Sequence, residues 1–240
     1  MQSTCMIEER IIIPGESGRL AGILAYPDAT PPRLGLLLCP PHPHFAGNME
    51  NNVVRALAQR LAEDSVTLRF DYRGVGDSEI RLAADRSVFD YWNDVEEKRD
   101  YADALADVAA AARALQDAAP GLPLAVAGYS FGAAVGLLHG LGDPAVGRMA
   151  GISPPLTRID FGFLAATAKP CLLLSGEADF VYSAERAAAL QSLAGPRLRI
   201  ERLAQQDHFF RGEEAILCDR VAAFLQAPLQ SDSETGTANV

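Results

Sequence analysis

The chain has 240 residues, of which 49% are hydrophobic and 22% are charged, and its formal net charge is −10. This length suits one large α/β domain, and this composition is that of a globular protein rather than a disordered chain or a membrane protein. The acidic balance, without any block of basic residues, argues against nucleic acid as a partner, because phosphate binding needs clustered Lys and Arg.

The N-terminal residues 1–6 contain no basic patch followed by an apolar core, and no apolar run is long enough to cross a bilayer. The cysteines Cys5, Cys39, Cys171 and Cys218 show neither CxxC nor metal-ligand spacing. We therefore expect a cytoplasmic protein with no membrane partner, no metal and no cofactor.

Short apolar runs alternate with helical patterns along almost the whole chain. Strands are predicted over residues 7–13, 20–26, 34–39, 66–70, 122–127, 146–152, 171–174 and 198–203. Helices are predicted over residues 51–62, 94–119, 131–141, 184–193 and 213–225. This alternation predicts an α/β protein with a mostly parallel central sheet, an antiparallel N-terminal hairpin and helices on both faces. We expect one domain over residues 1–226 and a disordered polar tail over residues 227–240.

A serine lies between a predicted strand and a predicted helix. Residues 128–132 read Gly-Tyr-Ser-Phe-Gly, so a glycine stands two positions before and two positions after Ser130. Small residues at these positions let the chain turn sharply enough to lift the hydroxyl off the end of a sheet. The same turn directs backbone N–H groups and the positive end of the next helix at the atom that the hydroxyl attacks. The alternative is a tight turn with an idle serine.

A serine nucleophile needs a base within hydrogen-bond reach, and the chain has only four histidines. His208 follows the last predicted strand. His139 lies two turns along the helix after Ser130, and His42 and His44 belong to a separate loop. By elimination, His208 is the candidate base.

The imidazole of such a base needs a carboxylate on its other nitrogen. Asp179 stands just past a predicted strand, and the chain order Ser130, Asp179, His208 is typical of one known arrangement of these three groups. Glu177 and Asp207 are alternative acids. Asp179 could also be a solvated loop acid or a helix N-cap.

The oxyanion formed on attack needs two N–H donors. The N–H of Phe131 is the first candidate, and the loop after residue 39 supplies the second, for which we favour His44 with Phe45 as the alternative. Another interpretation of this loop takes His42 and His44 as a pair of metal ligands, although no third ligand has matching spacing.

Together these segments resemble the α/β-hydrolase superfamily, and within it the compact serine hydrolases allied to dienelactone hydrolase. The resemblance spans residues 10–226 and is carried by the His-Pro loop running into residues 47–49, by the turn 73–78 and by residues 128–132, 176–179 and 207–210. It implies an α/β-hydrolase fold with a minimal cap. It also implies Ser130 as nucleophile, Asp179 as acid and His208 as base, with oxyanion donors at Phe131 and near His44.

The chain departs from the family pattern at Pro40, where histidine is common, and at Ala46, where glycine is common. The segment 79–94 is also longer than in relatives, so it either covers the pocket or forms an aromatic-anchored surface loop. Phe45, Tyr129 and Trp92 are the candidate pocket residues.

We therefore expect a serine hydrolase that cleaves a small-molecule ester, thioester or lactone through an acyl-enzyme. Acyl transfer, cyclisation and C–C bond cleavage by the same residues are alternatives. Others are a catalytically silent binding protein and a metal-dependent enzyme. The sequence does not determine the oligomeric state, for which a homodimer is one alternative.

Overall fold

The computed structural model of the protein describes residues 6–227. Its strands are β1 (Met6–Gly15), β2 (Gly18–Pro27), β3 (Gly35–Cys39), β4 (Val66–Phe70), β5 (Leu124–Tyr129), β6 (Val146–Ile152), β7 (Cys171–Gly176) and β8 (Leu198–Leu203). Its α-helices are α1 (Asn52–Leu61), α2 (Val88–Lys98), α3 (Ala102–Ala118), α4 (Phe131–Gly142), α5 (Ala184–Ala194) and α6 (Glu214–Leu225). Short 3-10 turns cover Pro43–Phe45, Gly162–Ala166 and Gly195–Arg197.

The eight strands form one sheet in the order β1-β2-β4-β3-β5-β6-β7-β8. Strand β2 runs antiparallel to both of its neighbours, and every other neighbouring pair is parallel. The predicted fold class, a mostly parallel sheet with an antiparallel N-terminal hairpin, is confirmed. The loops after β3, β5, β7 and β8 therefore meet at one edge, where open α/β sheets bind their ligands.

Strands β3, β4, β5 and β7 are buried along their whole length, and their side chains alternate between two cores. In β3, Leu36 and Leu38 pack with helices α1 and α6, whereas Leu37 and Cys39 pack with α3, α4 and α5. This is why β3 is a continuous apolar run rather than an alternating one.

The bounds of β4, β6 and β8 are those predicted. The predicted helix over residues 94–119 is wrong. The structure contains two helices there, because Arg99 adopts a left-handed conformation (φ 53°) that ends α2. The start of α2 had a readable signal: the Ser87 hydroxyl accepts the Asp90 N–H at 3.1 Å, and Asp90 accepts the Ser87 N–H at 3.2 Å, which is a capping box.

The segment 153–170 packs against the body of the protein. Phe161 and Leu164 are buried in the core beside α5, so this segment forms no separate cap over the sheet edge. Across residues 6–227, no helix is both long and apolar enough to cross a membrane. Of the predicted tail, residues 228–240 lie outside the described residues.

Candidate active site

Ser130 lies at the junction of β5 and α4 with φ 55° and ψ −116°, a conformation that is rare for a residue with a side chain. The chain can turn there because of its neighbours. A Cβ atom on Gly128 would lie 2.0 Å from the Gly132 carbonyl oxygen, and one on Gly132 would lie 2.1 Å from the carbonyl oxygen of Cys39. Both motif glycines are therefore required by backbone packing.

Asp179 and His208 meet although 29 positions separate them in the chain. Asp179 Oδ1 lies 3.0 Å from His208 Nδ1 and also accepts the Val181 N–H at 3.0 Å. A proton on Nδ1 is held by this carboxylate, which leaves Nε2 of His208 free to accept one. Both side chains are buried.

The carboxyl group of Asp179 is held in its charged form. Burial by itself raises its pKa, but hydrogen bonds from His208 and Val181, together with the nearby Ser153 hydroxyl, outweigh burial and leave the pKa below its usual value. The Ser153 hydroxyl is close enough to stabilise this charge, yet its geometry falls short of a hydrogen bond. Asp179 is therefore ionised at neutral pH.

Ser130 and His208 line the same cavity, whose volume is about 420 Å³. Two of the predicted pocket residues, Phe45 and Tyr129, line it as well. The Tyr129 hydroxyl also donates to the His208 carbonyl oxygen at 2.8 Å, so it fixes the loop that carries the imidazole.

The alternative acids do not contact His208. Glu177 is exposed and its Oε2 accepts the Gln205 N–H at 3.4 Å. Asp207 Oδ1 accepts the N–H groups of its own turn, at 2.8 Å from Phe209 and at 3.2 Å from Phe210. Of the three carboxylates considered, the structure brings Asp179 alone to the imidazole.

The structure gives no support to His44 as the second oxyanion donor. Its N–H donates to the Nδ1 atom of His42 at 3.1 Å, and His44 does not line the cavity. The N–H of Phe45 is also used, since it donates to the His42 carbonyl oxygen at 3.0 Å. The 3-10 turn Pro43–Phe45 creates both contacts, and the sequence did not predict this turn.

The prediction that Trp92 is a pocket residue is wrong, because Trp92 does not line this cavity. It is buried beneath the loop, with its Nε1–H donating to the Arg73 carbonyl oxygen at 3.1 Å and its ring 5.5 Å from that of His42. The large apolar surface of Trp92 is thus part of the core instead of the pocket.

Sequence reasoning missed the side chain of His42, which is buried in the cavity wall. Burial and the neighbouring His44 lower the pKa of His42 to about 4, so its imidazole is neutral at neutral pH. Because Nδ1 accepts a hydrogen bond, the ring proton is on Nε2, which lies 3.7 Å from Glu96 Oε2. Glu96 in turn lies 3.3 Å from Arg158.

Phe180 and Phe209 line the cavity and were also missed. Each directly follows a predicted site residue, Asp179 or His208, and this adjacency was a usable signal. Within residues 6–227, no group of three or more His, Cys, Asp or Glu side chains is arranged to hold a metal ion.

Comparison with known proteins agrees with this architecture. Residues 21–238 match the model of a family described as the alpha/beta hydrolase family. An uncharacterized protein of Rickettsia prowazekii (strain Madrid E) is 34% identical over 182 residues, which cover 73% of this chain and 69% of that protein.

Solved structures show the same likeness. An alpha-beta serine hydrolase homologue from Coxiella burnetii has 26% identity and a TM-score of 0.76, with 91% of this chain and 98% of that chain covered. A putative alpha/beta hydrolase from Agrobacterium tumefaciens has 26% identity and a TM-score of 0.73, covering 90% and 94% of the two chains. A serine hydrolase without a lid from Xanthomonas campestris shares the fold, with 22% identity, a TM-score of 0.74, and 91% and 94% coverage.

The matched model covers residues 21–238, which is most of the chain. The protein belongs to the alpha/beta hydrolase family and has the α/β-hydrolase fold.

Proposed function

We propose that the protein is a serine hydrolase that cleaves carboxylic esters or thioesters through an acyl-enzyme, with Ser130, His208 and Asp179 as its catalytic residues. The observation that carries the proposal is the 3.0 Å contact between Asp179 Oδ1 and His208 Nδ1 beside a cavity that Ser130 also lines. The resemblance to dienelactone hydrolase adds lactones as candidate substrates.

The chemistry follows from these positions. The Ser130 Oγ attacks the carbonyl carbon of the substrate while its proton passes to Nε2 of His208, and Asp179 stabilises the imidazolium. His208 returns that proton to the departing alcohol or thiol, and the acyl group stays on Ser130. A water molecule then attacks the acyl-enzyme by the same route, which releases the carboxylic acid and regenerates the serine.

Two backbone N–H groups stabilise the oxyanion in this proposal. The N–H of Phe131 is in the first turn of α4, where N–H groups have no acceptor within the helix. We assign the second to His42, because Pro41 and Pro43 have no N–H and the His42 N–H has no acceptor among the described residues. Each donor is expected to lower the barrier by about 3 kcal/mol.

A fluorophosphonate probe tests the nucleophile directly, since it reacts with activated serines. We expect the wild-type protein to be labelled on Ser130, as located by peptide mass spectrometry, and to hydrolyse p-nitrophenyl butanoate. Ser130→Ala is expected to lose both properties, leaving at most a residual rate. Ser183→Ala, which changes the N-cap of α5, serves as a control that keeps both.

Full hydrolysis by Ser130→Ala, or labelling at another residue, contradicts the proposal. So does a wild-type protein that neither reacts with the probe nor cleaves any ester, which is the behaviour of a catalytically silent binding protein.

A further inference from the structure

Three exposed apolar side chains surround the cavity that Ser130 and His208 line. Phe45, Phe180 and Phe209 have 61%, 65% and 42% of their surface exposed. Single exposed apolar residues are common on protein surfaces, but a group of them around one cavity marks a place that binds apolar material. We call these three residues the aromatic collar.

Two rings of the collar flank the imidazole of His208. Its centroid lies 4.9 Å from that of Phe180 and 5.4 Å from that of Phe209, whose ring is perpendicular to it. The backbone of Phe209 is fixed, because its N–H donates to Asp207 at 2.8 Å and its carbonyl oxygen accepts from Asn52 at 2.9 Å. This fixed backbone limits the positions that the Phe209 ring can take, so less conformational entropy is lost when a ligand packs on it.

The third ring comes from the loop after β3. Phe45 ends the 3-10 turn, and its centroid lies 5.9 Å from that of His42. The Arg158 guanidinium lies 5.8 Å from the Phe45 centroid and also pairs with Glu96, at 3.3 Å. Among the described residues that line this cavity, one is an arginine, Arg158, and one is a glutamate, Glu96. Their opposite charges neutralise each other. The cavity therefore offers apolar surface and little net charge.

We propose that the aromatic collar binds an uncharged apolar part of the substrate, so that the enzyme prefers esters with an alkyl group of about four to eight carbons or an aromatic ring over small esters such as ethyl acetate. This inference rests on the proposed function. The cavity volume of about 420 Å³ is in the range that accommodates drug-sized ligands, and an acetyl group fills only a small part of it. Each further methylene buried against the rings is expected to increase kcat/KM by up to about fourfold.

Two ester series test the preference. One keeps the p-nitrophenyl leaving group and lengthens the acyl group from acetate to butanoate, hexanoate and octanoate. The other keeps acetate and changes the alcohol from ethanol to butanol, hexanol and benzyl alcohol. We expect kcat/KM to increase by at least about tenfold between the two-carbon and six-carbon members of one series.

Variants then connect the preference to the collar. Phe180→Ala and Phe209→Ala are expected to reduce the ratio of kcat/KM for the six-carbon ester to that for the two-carbon ester by about tenfold. Leu193→Ala is the matched control, because Leu193 is 69% exposed on α5 and lies away from the cavity. Its ratio is expected to stay within about twofold of the wild-type value.

Three outcomes overturn the inference. If kcat/KM does not change with chain length in either series, the aromatic collar does not bind the apolar part of the substrate, although ester hydrolysis by Ser130 still holds. If Phe180→Ala and Phe209→Ala lower kcat/KM equally for short and long esters, the rings only shield His208. Absence of any ester cleavage and of probe labelling refutes the proposed function itself, and this inference with it.

Discussion

The hydroxyl of Ser153 and the Oδ2 atom of Asp179 are both buried, and neither has a hydrogen-bond partner among residues 6–227. Ser153 directly follows β6 and has a positive φ of 45°, which is unfavourable for a serine. The hydroxyl nevertheless helps to lower the pKa of Asp179, so it lies close to this carboxyl group. The structure thus holds a potential donor beside the carboxylate oxygen that His208 does not use.

We expect Ser153→Ala and Ser153→Gly to lower kcat by about tenfold, because a potential donor beside the charged Asp179 carboxylate is removed. Without this donor the pKa of Asp179 rises, so the acid limb of the pH–rate profile should move to higher pH in both variants. Ser65→Ala, which removes a buried hydroxyl before β4, is expected to keep the wild-type profile. If the acid limb of both Ser153 variants stays in place, Ser153 has no role in positioning Asp179.

Asp179→Asn should reduce kcat/KM by about 10³- to 10⁴-fold, because the amide keeps the shape of the carboxylate but cannot stabilise an imidazolium. Glu177→Gln removes an exposed carboxylate two residues earlier, and we expect less than about a threefold change. Steady-state kinetics on p-nitrophenyl butanoate measure both variants. A large loss in Glu177→Gln with a small one in Asp179→Asn would reassign the acid.

Gly132→Ala should destabilise the protein by at least about 2 kcal/mol, because its Cβ would lie 2.1 Å from the backbone oxygen of Cys39. Gly142→Ala, at the end of the same helix, places a Cβ where no heavy atom lies within 4 Å, so its stability should change by less than about 1 kcal/mol. Urea unfolding compares the two proteins. A Gly132→Ala variant as stable as Gly142→Ala contradicts the packing argument.

Asp107→Ala should destabilise the fold by about 3–5 kcal/mol, because it leaves the buried guanidinium of Arg73 without its main partner. Arg73 Nη2 lies 2.7 Å from Asp107 Oδ1, and both side chains are buried. Asp103 also pairs with Arg73, at 2.6 Å, but its side chain is 53% exposed. Asp103→Ala should therefore lower the free energy of unfolding by at most about 1 kcal/mol. Urea unfolding measures both variants. Equal losses of stability in Asp107→Ala and Asp103→Ala would show that burial does not determine how much each ion pair contributes.

Asp71→Asn should change how stability depends on pH. Burial raises the pKa of Asp71 to about 6 although the Met49 N–H opposes this shift, so the folded state binds a proton more tightly than the unfolded state. Ionisation of Asp71 therefore destabilises the wild type as pH rises from about 4 through 6. Between pH 4.5 and 7.5 the wild type should lose about 2 kcal/mol more stability than Asp71→Asn. Parallel curves from urea unfolding would contradict the raised pKa.

The sequence by itself determined the succession of strands and helices along the chain. It also determined the candidate catalytic residues. The strands β4, β6 and β8 were predicted at their observed bounds, because the pattern that indicates a strand lies within a short stretch of sequence. Ser130 was found from the glycines two positions before and after it. Only glycine fits at Gly128 and Gly132, because a Cβ atom there would clash with nearby backbone.

Only the tertiary structure decided what depends on contacts between distant segments. It buries Trp92 in the core, engages the His44 N–H with the ring of His42, and gathers Phe45, Phe180 and Phe209 around one cavity. An aromatic residue shows the same local pattern whether it fills a core or lines a pocket. The difference is set by which other segments cover it, and that information is not contained in its own stretch of chain.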